Sequence, residues 1–159
     1  MSMVKAILQS ASKELDDKVE FIGLMSMKGV IKNGAGTKAE DVLGFDYVMK
    51  DKDGVCWSYY AANPPLIGMT QPVHIECPLG IVAFNSYEID YIKAITILDS
   101  MNCGDVFTSI SLSWPLVPTV KEPCWFIRTS IGNDVVIGAD SGDGKCHSPI
   151  IVLYRSMDE

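Results

Sequence analysis

Apolar residues Val4, Ile7, Leu8, Ala11 and Leu15 recur at three- and four-residue spacing, which predicts an amphipathic helix from Ser2 to about Leu15 with Ser2 as N-cap. Val19, Phe21, Gly23, Met25 and Met27 alternate with partly polar neighbours, so residues 18 to 31 read as a long strand able to bend at Gly23 or Gly29. Residues 42 to 50 and 55 to 61 are β-prone and flank Asp51-Lys52-Asp53-Gly54, whose Asp-Gly pair predicts a hairpin. The segment Asn63-Pro64-Pro65-Leu66-Ile67-Gly68-Met69-Thr70-Gln71-Pro72 is irregular, because its prolines and glycine interrupt both helix and ladder. Residues 73 to 84 give one or two short strands broken at Pro78.

The second half follows the same order. Asn85 is placed to cap a helix, with Glu88 three residues on; Ile89, Ile92, Ile95 and Leu98 extend the spacing and Gly104 closes it. A strand at 105 to 114 follows, then a hairpin of 122 to 130 and 134 to 140 around Ile131-Gly132-Asn133. The loop Ser141-Gly142-Asp143-Gly144 leads to a last strand, Pro149 to Tyr154. Val4-Lys5-Ala6-Ile7-Leu8 returns as Ile92-Lys93-Ala94-Ile95-Thr96, and the run from Val19 returns from Val106. The expectation is an α+β fold of two tandem helix-plus-antiparallel-sheet units, an α-β-β-β repeat with each helix packed on curved sheet. The units span about 1–62 and 85–142, joined by a crossover at 63–84, within a single domain of residues 1–159.

In the second unit, a helix beginning Ser86-Tyr87-Glu88 and containing Ile92-Lys93-Ala94-Ile95 precedes Trp125-Phe126-Ile127-Arg128 and Val135-Val136-Ile137-Gly138-Ala139-Asp140-Ser141-Gly142. Over residues 86 to 142 this order, ending on a strand that runs into Ala-Asp-x-Gly, resembles the PepSY family of small α+β domains. The resemblance implies a binding or inhibitory module directed at peptidases. A cystatin-like or nuclear-transport-factor-2-like cone of helix and sheet has similar spacing.

Composition narrows the partners. With 48% hydrophobic and 21% charged residues the chain lies in the globular range, and its net charge of −7 repels phosphate backbones and anionic lipid. Nucleic acid and membrane are therefore not expected partners; a cationic peptide or basic protein is favoured. The N-terminus does not read as a signal peptide, and no apolar run approaches the ~20 residues that span a bilayer. Cys56, Cys77, Cys103, Cys124 and Cys146 form an odd set without a CxxC pair, read as reduced thiols in a cytoplasmic protein.

Candidate chemistry is sparse. His74, Cys77, Cys146 and His147 match the ligand count of tetrahedral zinc, but Cys146 and His147 are adjacent, poor geometry for one ion. The preferred expectation is no metal, no cofactor and no catalytic residue. Glu76, His74 or Asp46 at the base of a pocket would instead point to a small enzyme or ligand carrier. Trp57 and Tyr59 share one strand face and are candidate contact aromatics, with core packing as the competing reading. Leu66, Ile67 and Met69 make the proline-stiffened crossover apolar and complete the candidate binding set. The chain thus reads as a non-enzymatic protein- or peptide-binding module, inhibitory in one version, with a homodimer among its arrangements. An immunity protein neutralising a basic toxin is the alternative in the same class.

Overall fold

A computed structural model of the chain describes residues 2–148. The first helix, α1 (Met3–Glu14), starts where Ser2 Oγ accepts a hydrogen bond from the Lys5 amide at 3.1 Å. It ends at Asp16 and Asp17, both with left-handed backbone (φ 55° and 58°), and Ser12 Oγ donates to the Val19 carbonyl at 2.6 Å to turn the chain back. The strands β1 (Phe21–Ile31), β2 (Val42–Asp51), β3 (Cys56–Ala62), β4 (Val73–Ile75) and β5 (Ile81–Val82) follow. Then come α2 (Tyr91–Ser100), β6 (Phe107–Pro115), β7 (Cys124–Thr129), β8 (Asp134–Gly138) and β9 (Gly144–His147).

All nine strands belong to one antiparallel sheet, ordered β4-β3-β2-β1-β6-β7-β8-β9, with β5 paired to the end of β6. This overturns the expected pair of helix-plus-sheet units. β1 hydrogen-bonds β6 in the register Ser26–Ser113, Met27–Leu112 and Lys28–Ser111, so the ladder runs without a break across the middle of the chain. Further along β1, Leu24 and Phe84 exchange both backbone hydrogen bonds at 2.9 Å, which seats the stretch after β5 beside it. The molecule is thus mostly antiparallel sheet, with two short helices serving a single core.

Both helices lie on the same side of the sheet. Val4 and Ala11 of α1 and Ala94, Ile95 and Leu98 of α2 join one cluster with Phe45, Met49, Ile110, Leu112, Trp125 and Ile127 from the strands. Strand alternation explains the sidedness: Phe45, Tyr47 and Met49 point inward from β2, and Ile110 and Leu112 from β6, while the residues between them are polar or half-buried. Trp125 is fully buried at the centre, and its Nε1 donates to the Ile89 carbonyl at 2.7 Å.

Two further expectations are corrected. The second helix begins at Tyr91, because Asp90 accepts from the Lys93 amide at 2.8 Å and takes the capping role expected of Asn85. Tyr87 is spent on the core instead, and the Glu88 and Ile89 amides bond the Ala139 carbonyl. Gly144, placed in a loop by sequence, opens β9, which pairs with β8 from Ile137–Gly144 to Asp134–His147. The strand expected at Pro149 to Tyr154 lies outside the described residues.

The thiols also differ from expectation. Cys56 is bonded to Cys77 and Cys103 to Cys146, leaving Cys124 as the free cysteine. The first bridge ties β3 to the segment after β4; the second ties the turn after α2 to the edge strand β9. No helix among the described residues is long and apolar enough to cross a membrane.

Candidate functional site

The helices cover one face of the sheet, and the other face is the candidate site. Cross-strand registers assign its residues. From β4 towards β1 it carries Val73 and Ile75; Cys56, Ser58 and Tyr60; Asp46, Val48 and Lys50; and Ser26, Lys28 and Val30. From β6 to β9 it carries Ser109, Ser111 and Ser113; Cys124, Phe126 and Arg128; Asp134 and Val136; and Lys145 and His147. Each set alternates with the core residues on its strand, so the side chains project away from the helices.

The middle of this face is a hydroxyl ribbon. Ser26 stands opposite Ser113, and Ser111 stands between Lys28 on β1 and Phe126 on β7. Beside the ribbon an open groove of about 470 Å³ is lined by Ser109, Ser111, Phe126, Arg128, Asp134 and Val136. Arg128 Nε donates to Asp134 Oδ1 at 3.0 Å across the β7–β8 pair, an exposed ion pair that orders the groove wall but adds little stability. Small hydroxyls flanked by a phenyl ring and a guanidinium make a surface that can accept both apolar and polar contacts from a partner.

The titratable groups are organised for structure. Burial by itself raises the pKa of Asp51, but hydrogen bonds from Trp57 Nε1 and the Val55 and Asp53 amides together hold it below the usual carboxylate range. Glu122 follows the same pattern: burial opposes ionisation, and the Ser141 and Asp140 amides with the Ser141 hydroxyl outweigh it. Both carboxylates thereby close turns. Burial, then the Glu122 and Asp140 charges, raise the Cys124 thiol, which opposes thiolate chemistry there. Burial pushes the Tyr47 phenol up to about 12 and shifts Tyr59 and Tyr87 in the same direction, so these phenols stay protonated in the core.

The residues singled out from sequence are scattered. Tyr59 lies in the core with its hydroxyl donating to the Ile7 carbonyl at 3.1 Å, and Trp57 packs on the helix side of β3 with Phe21 and His74 against its ring. Neither belongs to the open face. Leu66, Ile67 and Met69 are exposed, at 50%, 99% and 43%, in the connection beyond β3. Leu66 helps line a small pocket with Pro64, Pro65 and Tyr91, and Met69 bridges to Ala61.

His74 and Cys77 sit by β4 and Cys146 and His147 on β9, at opposite edges of the sheet, with both cysteines in disulfides. The alternative zinc set is therefore not assembled, and no group of three or more His, Cys, Asp or Glu among the described residues could hold a metal ion. Asp46 does reach the open face, while His74 and Glu76 lie at the β4 edge, away from any common pocket with it. Sequence reasoning missed Ser111, Phe126, Arg128 and Lys28. The alternation Ser109-x-Ser111-x-Ser113 was the available signal, since three small hydroxyls alternating with Ile110 and Leu112 mark an uncovered strand face.

Comparison with known protein families, with curated proteins and with solved structures finds no match for this chain.

Proposed function

We propose that this chain is a protein-binding module that engages its partner with the helix-free face of the sheet. One observation carries the reading: both helices serve one side, and among the described residues no helix or strand is packed over the other side. Eight strands in register make a broad, rigid platform, and rigidity lowers the entropic cost of binding. The space between helices and sheet is filled by Trp125, Phe45, Tyr87 and Leu98, which favours surface binding over an enclosed ligand. The resemblance to PepSY domains makes a peptidase one partner class to try.

The two disulfides support an oxidising compartment as the site of action, in place of the cytoplasm expected from the thiol count. The test is affinity capture from the extracellular and envelope proteins of the native host, comparing wild type with the double variant Ser111→Arg, Phe126→Arg. Both positions are half-buried on the open face, so the variant should keep its melting temperature within a few degrees and lose the partner. Equal capture by both proteins, or no specific capture by wild type, refutes the reading.

A further inference from the structure

Apart from the open sheet face, we infer that the connection beyond β3 is an inhibitory loop: Ile67 enters the aliphatic specificity pocket of an endopeptidase, and the backbone around it lies in the cleft. Ile67 is 99% exposed, the highest value among the large apolar side chains of the described residues. An isoleucine held wholly in water forgoes the burial that its side chain favours, so its place at the tip suits a pocket supplied from outside. Its backbone N–H and C=O have no hydrogen-bond partner among the described residues. Those two groups are what an extended substrate segment offers to the walls of a peptidase cleft.

The residues on either side of Ile67 are tethered. Before it, the Asn63 amide donates to the Leu43 carbonyl at 2.8 Å and Asn63 Nδ2 to the Val42 carbonyl at 3.0 Å, which pins the start of the loop to β2. The Leu66 amide returns to the Asn63 carbonyl at 2.9 Å, and the Leu66 side chain sits in the small pocket with Pro64, Pro65 and Tyr91. After it, the Gly68 carbonyl accepts from the Ala62 amide at 2.8 Å, and the Thr70 amide donates to the Tyr60 carbonyl at 2.9 Å. The Tyr60 amide in turn donates to Thr70 Oγ1 at 2.8 Å. A tip held from both sides loses little freedom on binding. No atom lies within 4 Å of where a Cβ on Gly68 would stand, so a cleft wall can approach the bond between Ile67 and Gly68 closely. Leu66 and Gly68 are held by separate bonds, so a cut between Ile67 and Gly68 leaves both ends seated, and the loop stays in the cleft where a substrate's products would leave. One projecting side chain beside unpaired backbone calls for a narrow pocket, which a flat partner or a second copy of this sheet does not supply.

Inhibition of peptidases of known pocket chemistry tests this. The disulfide-intact chain should inhibit pancreatic elastase, whose pocket takes small aliphatic side chains, with an inhibition constant below about 1 μM. Trypsin should be inhibited at least about a hundredfold more weakly, and Ile67→Lys should reverse that preference. Ile67→Gly should weaken elastase inhibition at least about tenfold, and both variants should keep the melting temperature of the wild type, since the side chain is wholly exposed. Mass spectrometry of the elastase mixture should find the chain uncut. Prompt cleavage between Ile67 and Gly68 with return of elastase activity, no inhibition by wild type, or no gain of trypsin inhibition by Ile67→Lys each overturns the inference and leaves the sheet-face reading standing. The double variant Ser111→Arg, Phe126→Arg separates the two sites, because it should inhibit elastase as wild type does. Loss of inhibition in that variant with retention in Ile67→Gly overturns the loop as the inhibitory site.

Discussion

Removing the Cys103–Cys146 bridge should cost the protein a large share of its stability. The bridge joins the turn after α2 to the edge strand β9 across 43 residues of sequence. Closing a loop of that length in the unfolded chain corresponds to about 4 kcal/mol on the chain-entropy scale. β9 has little else to hold it, since all four of its residues are exposed and its ladder partner is β8 alone. With a urea slope of about 2 kcal/mol/M, the double variant Cys103→Ala, Cys146→Ala should unfold at a midpoint lower by about 2 M. Hydrogen exchange should locate the effect, with early loss of protection along β8–β9 and retained protection in β1, β2 and β6. Thiol titration of the unreduced, denatured wild type is the companion assay, with one reactive thiol expected, from Cys124. A midpoint shift below about 0.5 M, or five reactive thiols before reduction, refutes the reasoning.

Trp125→Ala should lose about 3–5 kcal/mol in chemical denaturation, because a fully buried indole and its bond to Ile89 disappear together; a loss under 1 kcal/mol would contradict its central place. Asp51 and Glu122 have folded pKa values below their unfolded ones, so their stabilisation is present above the ordinary carboxylate pKa and is lost as pH falls through the lower folded value. The melting temperature should therefore drop on acidification below about pH 4, and Asp51→Asn should flatten that drop; an unchanged profile would refute the turn-closing role. Ile67→Ser with Met69→Ser should leave the melting temperature nearly unchanged, given their exposure, and should weaken self-association if the crossover is a contact surface between copies. A large stability loss with association intact would place them in the core.

Local elements were legible in the sequence where periodicity and caps agree. The Ser2 cap and the α1 spacing, the Asp53-Gly54 hairpin, and the irregular crossover followed by short strands all follow from neighbours within a few residues. The same reasoning misplaced the start of α2, because Asn85 and Asp90 are both good caps and only the docking of Tyr87 and Ile89 decides between them. Gly144 to His147 carried no β signal, since an exposed edge strand needs no apolar face.

What the sequence by itself determined was the alternation along the longer strands, and with it which side chains of one strand share a face. Alternation is a property of the backbone, so Ser109, Ser111 and Ser113 stand opposite Ile110 and Leu112 whatever surrounds them. What only the tertiary structure decided was the pairing of distant segments. One sheet instead of two depends on Ser26–Lys28 meeting Ser111–Ser113, and the disulfides depend on Cys56 meeting Cys77 and Cys103 meeting Cys146.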